Sequence, residues 1–177
     1  MKLNDSQVGL EFRVAEAKRL GGGLLNRKTV VALLEGLEVK SEVLRDAVRA
    51  ALEKLKAAPE LVKMALESGA PVPERLAALG GLRTLKPAEV AGALVPLLSD
   101  REAKVRAGVA QLYCVFGAAD AEAALVKALN DADASVRYFA VLACGALPGA
   151  KAAVSSLAAS EKDAVVKDAL AQAMRSR

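Results

Sequence analysis

The 177-residue chain has no histidine, no tryptophan, two cysteines and five aromatic residues in all. Without histidine there is no Ser-His or Cys-His nucleophile pair and no histidine-based metal site. With so few rings, neither an aromatic-walled pocket nor the β-branched and aromatic core of a sheet protein is to be expected. Cys114 and Cys144 do not make a disulfide framework, and both are expected to be buried free thiols. No glycine-rich phosphate loop follows a strand pattern, and Gly21-Gly22-Gly23 read as a linker. No leader-like apolar segment opens the chain and no apolar run is long enough to span a bilayer. The expectation is therefore no membrane contact and, by default, a cytoplasmic location.

Strong charge is missing too. The net charge is +4, and residues 1–28 supply three of those charges. Their six bases (Lys2, Arg13, Lys18, Arg19, Arg27, Lys28) face three acids (Asp5, Glu11, Glu16). A nucleic-acid-binding solenoid is expected to carry a basic stripe along its face. A modest basic terminus disfavours nucleic acid as the main partner and keeps it as an alternative.

Alanine and a regular spacing fill the gap. Apolar residues are 54% of the chain, and alanine, the best helix former, is prominent among them. Arg45, Arg75, Arg106, Arg137 and Lys167 lie 30, 31, 31 and 30 residues apart, each opening an apolar-periodic stretch. The pattern predicts helix pairs at 28–38 with 42–55, 59–67 with 73–84, 87–98 with 103–116, 120–129 with 134–146 and 150–158 with 162–174. Prolines and glycines fall between them, at Pro59, Pro71, Pro73, Pro87 and Pro148-Gly149. Two prolines and Glu74 at the second pair predict a distorted helix start there. Residues 11–20, where strand-like alternation of Val8, Leu10, Phe12 and Val14 competes, are assigned to a helix ended by the three glycines. The division that follows is a basic N-terminal segment with a capping helix, 1–27, and a repeat array, 28–177.

The sharpest internal match sets Leu97-Leu98-Ser99-Asp100 and Val105-Arg106 against Ala128-Leu129-Asn130-Asp131 and Val136-Arg137. This resembles the short HEAT-like repeats of the phycobilisome-lyase type. Tetratricopeptide and ankyrin repeats have periods of about 34 and 33 residues and signatures absent here. The resemblance implies an all-α, right-handed α-solenoid of about five HEAT-like helix pairs with an N-terminal capping helix. It also implies structural turn pairs, Asp100 with Arg106 and Asp131 with Arg137, or each Asp with the arginine of the neighbouring repeat. Val39 in the first repeat and Ser160 or Glu161 in the fifth predict an incomplete ladder. HEAT-type di-iron hydroxylases use His-Glu pairs and HEAT-like alkylpurine glycosylases use aromatic pockets, and this chain lacks both. The expectation is a protein that is not an enzyme, with no cofactor and no metal; an accessory role to a chromophore lyase rests on the repeat resemblance alone.

Counted from each basic residue at 100° per position, one arc of every second helix is apolar and forms the core. In the fourth repeat it includes Phe139, whose truncation would cost about 3–5 kcal/mol if fully buried. The opposite arc, assigned to the concave side, is charged in the first and fifth repeats and apolar in the middle. A wide buried arc explains that middle as well as an open groove does. The groove reading makes the chain a protein-interaction scaffold for a partner helix or peptide, anchored by Leu76, Leu79, Tyr138, Val141 and Leu142 and bordered by Arg49, Arg83 and Gln111. The same patch offers self-association as a further reading.

Overall fold

The computed structural model describes Leu3, residues 9–145 and residues 147–175. Lys2, Asp5 and Val8 of the N-terminal segment and the end of the predicted helix 134–146 lie outside the described residues. Everything regular among the described residues is helical. Two compact units divide the chain, Met1–Pro87 and Ala88–Arg177.

The first unit opens with α1 (Leu10–Gly21), followed by α2 (Arg27–Glu35) and α3 (Glu42–Lys54), then α4 (Ala58–Leu66) and α5 (Val72–Leu85). A 3₁₀ turn, Gly36–Glu38, extends α2. Asn26 caps α2 by accepting from Thr29 N at 2.9 Å, and Ser41 caps α3 by accepting from Leu44 N at 3.3 Å. Helix α1 lies along α3 as though it were the second helix of a preceding pair. Gly21 permits the approach, because a side chain there would meet Ala51 at 2.7 Å. The core is aliphatic: Val30, Leu33, Leu44, Val48, Leu52, Leu61, Met64 and Leu82 are fully buried.

The distorted start expected at the second pair is not found. Helix α5 is regular from Val72, because Pro71 precedes it and Pro73 sits in its first turn, where a missing N–H costs no intrahelical bond. Distortion falls instead on the first helix of the third pair. Residues predicted as one helix, 87–98, break into 3₁₀ turns on either side of a single α-turn, α6 (Ala91–Leu94). Pro96 lacks an N–H and crowds the carbonyl four residues back, so the α-helix stops before it.

The second unit continues with α7 (Ala103–Phe116), α8 (Glu122–Ala128), α9 (Ala134–Cys144), α10 (Lys151–Ser160) and α11 (Ala164–Arg175). Helix α9 packs along its length against α7 on one side and α11 on the other. Val105, Val109, Leu112, Tyr113, Val136, Ala140 and Cys144 occupy the predicted core arc and are buried. Tyr113 donates its hydroxyl to Ala91 O at 2.8 Å, so its polar atom is satisfied inside the core. Phe139 is only half-buried, stacked edge-on against Tyr138 with ring centres 5.1 Å apart. Its truncation therefore costs less than that of a fully enclosed ring. Cys144 is buried, whereas Cys114 is exposed, contrary to expectation.

Three of the second helices, α3, α5 and α7, are followed by a residue of positive φ. These residues, Lys56, Lys86 and Gly117, 30 and 31 residues apart, are the three with positive φ among those described. Lys86 adopts the left-handed conformation at a cost of about 1 kcal/mol, whereas Gly117, at φ 86° and ψ 153°, uses a region open mainly to glycine.

Candidate functional site

In the second unit one turn design recurs ahead of α7, α9 and α11. Asp100 accepts from Glu102 N at 2.9 Å, and Asp131 accepts from Asp133 N at 2.9 Å. Glu161 accepts from both Lys162 N and Asp163 N at 2.8 Å. The arginine six residues after the acid folds back over its own turn. Arg106 donates to the carbonyls of Asp100 and Arg101 at 2.7 and 3.2 Å, and Arg137 to those of Asp131 and Ala132 at 2.9 and 3.1 Å. The rest of each guanidinium reaches forward to the next turn. Arg106 grips Asp131 with two bonds of 2.7 and 2.8 Å, and Arg137 grips Glu161 with 2.7 and 3.0 Å.

Of the two pairings the family pattern left open, Arg106 thus takes the neighbouring repeat's carboxylate. Asp131 side-chain oxygens go to Arg106, while Arg137 uses only the Asp131 carbonyl. Glu161 occupies the acid position of the fifth repeat and extends the ladder that the sequence predicted to stop short. These forked pairs lie largely out of water, where bidentate geometry counts for most. Hydrogen bonds from Arg137, against the opposing effect of burial, hold the Glu161 carboxyl down at about 2. Burial alone would raise Asp131, but Arg106 and the Asp133 amide outweigh it and the carboxyl is lowered.

In the first unit the turns ahead of α3 and α5 carry no acid at this position. The residue six before Arg75 is Gly69, which has no side chain to offer. Arg75 is buried and donates to Ala65 O at 2.9 Å. The turn's two nearby acids, Glu67 and Glu74, close instead on Arg27 at the start of α2. Arg45 occupies the register of Arg106 and Arg137 but is exposed and forms no ion pair among the described residues.

Arg45 borders a groove of about 570 Å³ between α2 with its 3₁₀ turn, α3 and α5. Helices α3 and α5 touch far less than α7 and α9 do, and the groove is walled mainly by α5 and by α2 with its 3₁₀ turn, with Arg45 reaching it from α3. Leu34, Leu37, Pro73, Leu76 and Ala77 make its apolar walls, with Glu38, Arg45 and Arg83 at the edges. Two adjacent glycines differ sharply there. A Cβ on Gly81 would meet Leu34 at 2.7 Å and Leu61 at 3.1 Å, whereas one on Gly80 meets nothing within 4 Å. Gly81 serves packing; Gly80 opens the groove. A smaller hollow of about 240 Å³ shares Leu34, Glu38 and Ala77 with it and adds Glu35 and Glu74.

The residues assigned to a partner surface are divided between the units. In the first, Leu76 and Arg83 line the groove together. Leu79 is buried, since α5 packs against α2, α3 and α4, and it is not an available anchor. Arg49 points elsewhere and bonds Asp46 at 3.1 Å on the exposed surface of α3. In the second unit, Leu142 is exposed and Tyr138 and Gln111 are half-buried. Val141 is fully buried because α9 is covered on two flanks, and it too is not an available anchor. Arg45 and the groove beside it were missed, although the absence of an acid at Gly69 was a legible signal.

Reaction chemistry finds little support. Desolvation pushes the Cys114 thiol up to about 11, and its sulfur faces the carbonyls of Ala110 and Phe139, so it is no activated nucleophile. Among the described residues no group of three or more acidic or thiol side chains is placed to hold a metal, and no helix is long and apolar enough to cross a membrane.

A family model described as HEAT repeats matches residues 91–175. No curated protein matches the chain. Among solved structures, a designed armadillo repeat protein in complex with the peptide (KR)4 is similar with a TM-score of 0.56 and 19% identity. That similarity covers 98% of this chain and 95% of the other. At such identity the similarity is one of fold.

Proposed function

We propose that this HEAT/armadillo-like helical-repeat protein is a non-enzymatic protein-interaction scaffold. It holds a partner helix or peptide on the face of its second helices that the sequence assigns to the concave side. The observation that carries the reading is the open groove of about 570 Å³ in the first unit, with apolar walls and charged edges. Its volume and mixed lining suit a few anchoring side chains of a partner. The exposed Leu142 beside half-buried Tyr138 offers a second anchor region on α9. The fold shared with a designed protein in complex with a peptide supports the same reading.

Nucleic-acid binding through the N-terminal segment is the weaker alternative. Arg19 is matched by Glu16, and Arg27 by Glu67 and Glu74, so part of the basic charge counted in the sequence is neutralised in place.

The test is a pull-down from source lysate with wild type, a Tyr138→Asp, Leu142→Asp variant and a Leu76→Asp variant, with circular dichroism as a folding control. A protein recovered by wild type and lost with either folded variant supports the scaffold. Equal recovery by all three, or a nucleic acid released by salt, overturns it.

A further inference from the structure

The forward ladder gives Arg45 a defined shortage. Arg106 and Arg137, in the same register of their helices, are each forked onto a carboxylate 25 or 24 residues later. The residue 24 after Arg45 is Gly69. No described residue replaces the missing acid, and the groove lies open beside the guanidinium. We propose that the first unit's groove docks a partner segment whose Asp or Glu side chain takes the ladder position on Arg45. A neighbouring apolar side chain of that segment fills the space over Leu76 and Gly80. This rests on the scaffold reading and specifies the partner's chemistry.

Charge placement favours a carboxylate at that end of the groove. Arg45, Arg83 and Glu38 line the larger hollow, two cations to one carboxylate. Glu35 and Glu74 lie in the adjoining smaller hollow, with Glu74 already engaged by Arg27. A partner acid at Arg45 would repeat the forked charge-assisted bond that Arg106 and Arg137 make in the same register. Gly80 contributes open helix surface, which lets a partner backbone approach closely.

Gly69 provides a test that works from inside the chain. A side chain there meets nothing within 4 Å, so Gly69→Asp can restore the ladder acid and compete for Arg45. Fluorescein-labelled (Asp-Leu)4 is titrated by anisotropy against the full chain, with (Asn-Leu)4 and (KR)4 as comparison probes. The expected result is saturable binding of (Asp-Leu)4, weakened about tenfold by Arg45→Gln, as loss of one charge-assisted contact implies. Gly69→Asp should weaken it similarly and raise the thermal midpoint. (Asn-Leu)4 should bind weakly to every variant.

Equal binding of (Asp-Leu)4 and (Asn-Leu)4, stronger binding of (KR)4, or indifference to both substitutions overturns the proposal. So does the absence of (Asp-Leu)4 binding to wild type. If the lysate partner is still captured in any of these cases, only the carboxylate assignment has failed. If no partner is captured either, the scaffold reading has failed with it.

Discussion

The step from α3 to α5 and the step from α7 to α9 are built on the same 31-residue period or one residue short of it, and they come out differently. From α7 to α9, alanines at 107 and 110 let the helices close, and Arg106 locks the next turn through Asp131. From α3 to α5, the locking acid is replaced by Gly69, the local carboxylates turn to Arg27, and a groove is left. In this chain an open groove accompanies the loss of one side chain from a repeating contact. The sealed step shows what the open one lacks.

Breaking a sealed step should have the largest effect, and the next one, α9 to α11, is locked in the same way by Arg137 on Glu161. Arg137→Ala leaves Glu161 buried without its partner and should lower stability by about 3 kcal/mol, measured by urea denaturation. Arg45→Ala, at the equivalent position of the open step, should change it by less than about 0.5 kcal/mol. An equal loss at both sites would mean that Arg45 has a structural partner after all. The adjacent glycines should respond with opposite signs. Gly81→Ala forces Leu34 and Leu61 aside and should destabilise by about 1–2 kcal/mol. Gly80→Ala has room and should stabilise by about 0.5–1 kcal/mol through helix propensity.

Acid should also loosen the locked step from α9 to α11. The Glu161 carboxyl titrates near 2 when folded, against an ordinary 4.5. Its contribution to stability is complete above about pH 4.5 and is lost as the pH falls toward 2. Urea midpoints at pH 5, 3.5 and 2.5 should fall more steeply for wild type than for Glu161→Gln, and the two should converge at the lowest pH. Parallel curves would show that the Arg137 contact does not depend on ionised Glu161. Smallest of all, Asp46→Ala removes an exposed pair on α3 and should shift stability by less than about 0.5 kcal/mol.

Much of the fold was legible because it repeats. The five basic residues located α3, α5, α7, α9 and α11 to within about two residues, since their apolar arcs share one phase. The third first-helix was misread because a single proline, Pro96, outweighed a helical pattern around it. A helical wheel reports phase and leaves the number of covering neighbours open, so Leu79 and Val141 were placed on a surface that adjoining helices bury. The turn pairs were half legible. The family resemblance implied Asp131 and Arg106 but left the partner's direction open. Ser160 or Glu161 near the acid position was read as a break in the ladder, yet the Glu161 carboxylate reaches Arg137 and the turn amides together. The groove was partly legible: Leu76 and Arg83 were assigned to a partner surface and line it, while its other wall, Leu34 and Leu37, belongs to a first helix and its turn, which the arcs of the second helices do not report.

The ladder's forward direction also bears on the order in which the chain acquires its structure. Arg106 closes on its own turn through carbonyls five and six residues behind it, but its carboxylate is made 25 residues later. During synthesis from the N-terminus, each such arginine is half-satisfied until the next turn emerges, so order is added one repeat at a time. Closing loops of 24 or 25 residues is entropically mild and favours fast assembly through local contacts. At Arg45 that sequence of closures has no later residue to wait for.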